Sequence, residues 1–221
     1  MGDDSNMKIV AISDTHSMHD SVEVPDGDVL IHAGDFSGRG SRDDLEEFLD
    51  LEEFLEWFGK FPHKNKILVA GNHDWCFENS RRDEAIAMTK EVCTYLEDSS
   101  IVIDGIKFYG APWQPEFCNW AFNVPRGSEL AAKWAKIEDD TNVLITHGPP
   151  HKILDLCPGG YVGCEDLLEA VLKLPKLKYH IFGHIHESYG IEKFLDVTYV
   201  NASNCTGSYS PNNSATVIDY N

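Results

Sequence analysis

Short runs of Val, Ile, Leu and Ala recur along the chain, each closed by a glycine or a polar turn. They predict strands at Lys8–Ser13, Asp28–Ala33, Lys66–Ala70, Ile101–Ile103, Ile106–Tyr109, Asn142–Thr146, Tyr179–Phe182, Thr198–Asn201 and Ala215–Asp219. Several runs are continuous rather than alternating, as strands buried on both faces require. Asp104-Gly105 separates two apolar triplets and predicts a tight hairpin, because Asp and Gly tolerate the positive φ of the turn. Helical spacing covers about Arg42–Phe58, Arg81–Glu97, Ser128–Ile137 and Glu165–Leu174, with Ser128 as an N-cap. The first helix holds a tandem duplication, Leu45-Glu46-Glu47-Phe48-Leu49-Asp50 followed by Leu51-Glu52-Glu53-Phe54-Leu55-Glu56. Six residues is not a whole number of turns, so the two apolar stripes point in different directions. Either part of the helix meets a second surface, or it is a long acidic surface helix.

Strands alternating with helices over 221 residues predict one α/β domain, residues 8–221, after a flexible tail, residues 1–7. Hydrophobic residues make up 42% of the chain, enough for a core without staples. The 18 Lys and Arg stand against 37 Asp and Glu, a formal net charge of −19. That balance argues against a nucleic-acid polymer or an anionic membrane as partner, and suits cations. No run approaches the length of a membrane span, and the acidic N-terminus does not resemble a signal peptide. The six cysteines lack C-x-x-C spacing and are expected as reduced thiols in a cytoplasmic protein.

The candidate chemistry lies where the strands end. The first runs into Asp14-Thr15-His16, the second into Gly34-Asp35 and the third into Gly71-Asn72-His73-Asp74. Two later strands run into His147-Gly148 and Gly183-His184-Ile185-His186. Open α/β sheets hold ligands at the C-terminal ends of their strands. Asp14 and His16, two apart, face one side while the chain stays extended, and so do His184 and His186. Imidazole with carboxylate, and no thiolate, suits Mn, Fe, Zn or Co better than an all-oxygen cage. One such motif is weak evidence; five at five strand ends are not chance.

These blocks, in this order, resemble the calcineurin-like metallophosphoesterases. Further segments resemble the metallophosphoesterase-domain-containing (239-type brain protein) family: Gly110-Ala111-Pro112-Trp113, Phe122-Asn123-Val124-Pro125-Arg126-Gly127, Thr146-His147-Gly148-Pro149-Pro150 and Asn201-Ala202-Ser203. The resemblance spans about Lys8 to Asp219 and implies a four-layer α/β/β/α sandwich. It implies two divalent metal ions, Mn foremost, with Fe, Zn, Co or Mg as alternatives. Asp14, His16, Asp35 and His186 would hold one; Asp35, Asn72, His147 and His184 would hold the other, with Asp35 bridging. Two such ions, about 3.5–4 Å apart, activate a water for in-line attack on phosphorus. His73 would stabilise the phosphoryl oxygens or protonate the leaving group, with Asp74 orienting its ring. Asn72, His73 and His147 would touch the substrate, a small phosphoester with cyclic nucleotides among the family's substrates.

Other residues carry two readings each. Trp75 edges the site or packs behind it, and Arg126 reaches a phosphate or forms a salt bridge. Trp113, Phe117, Trp120 and Phe122 stack a nucleobase or form a loop core, and burial tendencies favour the core. His151 lines the pocket or lies at the surface; His32 is a core histidine, and His19, His63 and His180 are expected at the surface or in loops. A phosphodiesterase is the first reading. A phosphomonoesterase and a non-catalytic scaffold that binds a protein partner are the alternatives, and homo-oligomerisation stays open.

Overall fold

In the computed structural model, residues 6–38, 40 and 42–220 are described. The expected tail falls largely on residues 1–5, outside them, and Met7 already belongs to the first strand. That strand, β1 (Met7–Ile12), lies beside β2 (Val29–His32), β3 (Asn65–Leu68) and β4 (Thr94–Tyr95) in parallel order. A second sheet is built from β5 (Ser99–Ile103), β6 (Ile106–Ala111), β7 (Val143–Thr146), β8 (Tyr179–Phe182), β9 (Gly190–Phe194) and β10 (Val197–Asn201). Its four central strands run parallel in the order β10-β8-β7-β6, with β9 and β5 antiparallel at the edges. The last strand, β11 (Thr216–Tyr220), closes the first sheet antiparallel to β1.

Alternation along each strand builds the layers. Ile9, Ala11, Val29, Ile31, Ile67 and Val69 of the first sheet pack against Phe108, Val143, Ile145, Ile181 and Val200 of the second. The opposite face of the first sheet, Val10, Ile12, Leu30 and Leu68, is covered by α1 (Asp44–Gly59) through Leu51, Phe54 and Phe58. The neighbouring α2 (Arg82–Thr89) adds Ala85. The outer face of the second sheet, Tyr109, Leu144, Phe182 and Tyr199, is covered by α3 (Ser128–Trp134) and α4 (Glu165–Val171). These four layers, α/β/β/α, are the sandwich that the sequence resemblance implies.

Three local outcomes differ from the sequence reading. The second helix stops at Thr89 rather than Glu97, and Thr94–Tyr95 pairs with β3, because a β-branched and an aromatic residue suit an edge strand. Gly127, at φ 90°, takes the N-cap position of α3, which makes Ser128 its first turn. In α1 the second copy of the duplication carries the core contacts, whereas Leu45 and Leu49 of the first are 63% and 54% exposed. Only Glu47 of the first copy is fully buried.

Candidate metal centre

Parallel register brings the strand ends level. Ile12 stands opposite His32, and His32 opposite Leu68; Ile145 stands opposite Ile181, and Phe182 opposite Asn201. Asp14, His16, Asp35 and Asn72 therefore rise from the first sheet, and His147, His184 and His186 from the second, along one edge. Ser13 and Ser203 form a bridge that joins the two sheets at this edge.

The side chains converge through turns, not through extended chain as the two-residue spacing suggested. Asp14, His16, Ser17, Asp35 and His184 all hold φ between 44° and 68°, a left-handed conformation that residues with side chains seldom adopt. Such residues gather at functional sites, where surrounding structure over-determines them. Here Asp14 N–H donates to the Gly34 carbonyl at 2.9 Å and His16 N–H to that of Asp35 at 3.1 Å. Gly34, at φ 102°, lets the chains approach: a Cβ there would stand 2.6 Å from His147 Nδ1.

Among the described residues three groups could hold a metal, with ligand atoms within 4.8 Å of one another: Asp14, His16 and His186; Asp35, His147 and His184; and His16, Asp35 and His73. The tautomers follow from the partners. His16 Nδ1 faces the Ser37 carbonyl at 3.2 Å, His147 Nδ1 that of Ala33 at 2.9 Å, and His186 Nδ1 that of Thr206 at 3.2 Å. A carbonyl only accepts, so each Nδ1 carries the proton and each Nε2 is turned inward, the arrangement of metal-ligating histidines. His147 Nε2 lies 2.9 Å from Asn72 Oδ1 and 3.3 Å from Asp35 Oδ2. Asp14 is held by the His184 N–H, at 3.0 Å, and by the Ser203 hydroxyl, at 2.8 Å. The donor set fits divalent cations.

The charges fit as well. Burial works against an ionised Asp14, yet the hydrogen bond and charge of His186 hold its pKa well below the carboxylate range. Burial is likewise outweighed at Asp35 by His147 and His73, which keep it ionised. Burial opposes a charged His147, but the Asp35 carboxylate raises its pKa to about 9. His184, buried and beside His147, falls to about 3 and is a neutral donor.

His73 lies beside these groups. Its N–H donates to Asp35 Oδ1 at 2.8 Å, and its Nε2 stands 3.9 Å from Asp35 Oδ2. Asp74 does not orient it. Both Asp74 oxygens are taken by backbone, from Asp35 N–H at 2.8 Å, Ser37 N–H at 3.1 Å and Gly71 N–H at 2.7 Å. It ties the second strand-end loop to the third, and burial raises its pKa to about 7. Behind it, Glu47 of α1 accepts from Ser37 Oγ at 3.3 Å and Cys76 N–H at 3.4 Å.

A cavity of about 540 Å³ opens over the site, with Asp35, Asn72, His73, His184 and His186 on its floor. Phe117, Trp120, Tyr209, Glu116, Glu187 and Arg126 contribute walls. Arg126 is engaged: it donates to the carbonyls of Val162 at 2.7 Å and Gly163 at 2.9 Å, and pairs with Glu165. Trp75 and Trp113 are not wall residues. Trp75 packs behind the site under the Arg42 guanidinium, and Trp113 donates to Asp98 Oδ1 at 2.7 Å beneath Lys133. His151 sits beside Asp155 and does not line the cavity.

Phe122 is core, while the 58%-exposed Phe117 and the ring of Trp120 face the cavity, so the aromatic loop serves both purposes. Tyr209, whose ring centre is 4.9 Å from that of His16, carried no signal in the sequence. Asn201-Ala202-Ser203 did: Ser203 steadies Asp14, and Asn201 bonds the Ile185 carbonyl at 2.8 Å. His32 is a core residue, accepting from Gly34 N–H through Nδ1 and so donating from Nε2 to Thr15 Oγ1. His180 is buried within β8, against the surface or loop position expected of it, whereas His19 and His63 lie in the connections expected of them but are buried there.

A model of the calcineurin-like phosphoesterases matches residues 7–188. Metallophosphoesterase domain-containing protein 1 of Homo sapiens is 40% identical over 96% of this chain and 70% of that protein. The UPF0046 protein K07C11.7 of Caenorhabditis elegans is 41% identical over 90% of this chain and 70% of its own length. A crystal structure 13% identical in sequence superposes with a TM-score of 0.69, over 98% of this chain and 100% of that one, a likeness of fold.

Proposed function

The chain belongs to the calcineurin-like phosphoesterase family, and we propose that it is a metal-dependent phosphodiesterase of small nucleotide esters, cyclic nucleotides among them. One observation carries the reading: two ligand groups share the floor of a single cavity, with Asp35 at their junction. About 540 Å³ is the size of a small-molecule site and holds a mononucleotide rather than a polymer.

Two divalent cations, held by Asp14, His16, Asp35 and His186 and by Asp35, Asn72, His147 and His184, would supply a water of lowered pKa and neutralise phosphoryl charge. Mn²⁺ is the first choice, with Fe, Zn, Co or Mg as alternatives. The chain's own groups do the rest. Backbone carbonyls at Ala33, Ser37 and Thr206 fix three imidazoles with Nε2 inward. Asp74 holds the loops that carry Asp35 and Asn72. His73, at the cavity floor, is placed to donate a proton to a phosphoryl oxygen or to the leaving oxygen.

The wall favours a diester. Among the described residues Arg126 is its one Lys or Arg, and that guanidinium is already committed, whereas Glu116 and Glu187 add negative charge. A diester brings one charge where a monoester at neutral pH brings nearly two, and so meets less repulsion. The experiment is hydrolysis of bis(p-nitrophenyl) phosphate beside p-nitrophenyl phosphate, by metal-stripped protein titrated with Mn²⁺. Mn²⁺-dependent cleavage that favours the diester supports the reading. Preference for the monoester makes a phosphatase the better reading, and inertness with two metals bound makes a scaffold or a highly selective enzyme the better one.

A further inference from the structure

A histidine that moves a proton is ordinarily oriented by a hydrogen bond to its second ring nitrogen. His73 lacks one. Its Nδ1 is buried with no hydrogen-bond partner among the described residues. The adjacent Asp74 is occupied by three backbone N–H groups, and Asp35 Oδ2, at 3.9 Å from Nε2, is beyond hydrogen-bond range. Something else must fix the ring, since rotation about two side-chain torsions would carry Nε2 off the cavity floor.

The ring beside it is that of Trp120. The indole and the imidazole lie nearly parallel, 13° apart, with centres separated by 4.3 Å, while His16 meets His73 edge-on at 4.7 Å. Trp120 is itself anchored. Its backbone N–H donates to the Phe117 carbonyl at 3.4 Å, and that of the next residue, Ala121, to the carbonyl of Asn72 at 3.1 Å. The loop bearing the indole is thus bonded to the residue that precedes His73. Gly40 makes room for the pair: at φ 58° its backbone passes so close that a Cβ would overlap the indole ring and stand 3.1 Å from His73 Cα.

We infer that Trp120 is a positioning residue for His73, and that its stacked indole holds the imidazole where a hydrogen bond would otherwise do so. The inference rests on the phosphodiesterase reading, in which His73 delivers a proton to the leaving oxygen. A proton matters most when that oxygen is basic. The test compares bis(p-nitrophenyl) phosphate with diphenyl phosphate, which carries the same charge and a more basic leaving group, on the Mn²⁺-loaded full chain.

Trp120→Leu should lower kcat for diphenyl phosphate by about 10-fold or more and that for bis(p-nitrophenyl) phosphate by less than about 3-fold, with metal content unchanged. Trp120→Phe, which keeps a stacking face, should stay within about 3-fold of wild type on both. Equal losses on the two esters, or no loss on either, would overturn the inference. If the wild type holds its metals but cleaves neither ester, the phosphodiesterase reading is what fails. The inference is then decided by a crystal structure of Trp120→Leu: a displaced His73 ring supports it, and an unmoved ring overturns it.

Discussion

The Nε2 atoms of His16 and His186 lie 3.2 Å apart, nitrogen facing nitrogen. Each ring already spends its Nδ1 proton on a backbone carbonyl, so two lone pairs would confront each other unless something positive stood between them. Burial opposes a charge on His186, but the hydrogen bond to Asp14 at 3.2 Å raises its pKa. A cation bound by Asp14, His16 and His186 would supply that positive charge.

Metal uptake should therefore release protons. The His147 pKa, raised to about 9 by Asp35 against the pull of burial, keeps a second competing proton on the site below that pH. Affinity for Mn²⁺ should rise as pH increases from 6 towards 9 and then level off. Calorimetric titration in buffers of different ionisation enthalpy counts the protons; a count of zero throughout would sink the account.

Asp35→Asn should lower the occupancy of both metals together. Asp35 belongs to two of the ligand groups and its Oδ2 stands 3.3 Å from His147 and 3.9 Å from His16. Metal analysis after gel filtration reads the stoichiometry, and the loss of one ion only would show that the carboxylate is not shared.

His73→Ala should leave metal content intact and reduce turnover of diphenyl phosphate by about 10²–10⁴-fold, the usual contribution of a placed proton donor. Unchanged turnover would remove His73 from the chemistry.

Ser203→Ala removes the hydroxyl that donates to Asp14 Oδ2 at 2.8 Å. Partners of this kind orient the groups that hold the ion, and their loss costs about 10–100-fold in metal affinity. Competition with a fluorescent chelator measures it. An affinity equal to wild type would mean that the His184 N–H suffices.

Glu47 is buried, and burial with the nearby Asp74 charge raises its pKa from 4.5 to about 9. The folded chain then keeps a proton that the unfolded chain releases, so stability falls as pH rises from about 4.5 to about 9. Glu47→Gln should flatten that decline. At pH 8.5 it should melt higher than wild type by several degrees, the gap widening as pH rises above about 4.5. At pH 4.5 the two should coincide. An unchanged pH slope would assign the decline to other groups, Asp74 among them.

The layers were legible because their cause is local. Ile9 and Ala11 face one layer and Val10 and Ile12 another, so the run had to be continuous. Thr94–Tyr95 was hidden, since two residues at the end of a helical pattern have no period of their own. The gathering of Asp14, His16, Asp35, Asn72, His147, His184 and His186 along one edge followed from strand ends and parallel register. Where Asp74 points did not. Its direction is set by the turn at φ −87°, ψ 63°, which no residue type announces. The Trp120 stack depends on Gly40, eighty positions earlier in the chain, a relation visible only once the loops are folded.

Asp14, His16, Asp35 and Asn72 come from one sheet, and His147, His184 and His186 from the other. An ion held between them is a clasp across the central core. Each distance between the seven side chains depends on how Ile31 and Val69 seat against Ile145 and Ile181, and an ion gripped by them would tighten that seating in turn. Metal binding here would make occupancy of the site and cohesion of the sandwich one equilibrium, and the melting point a readout of free metal concentration.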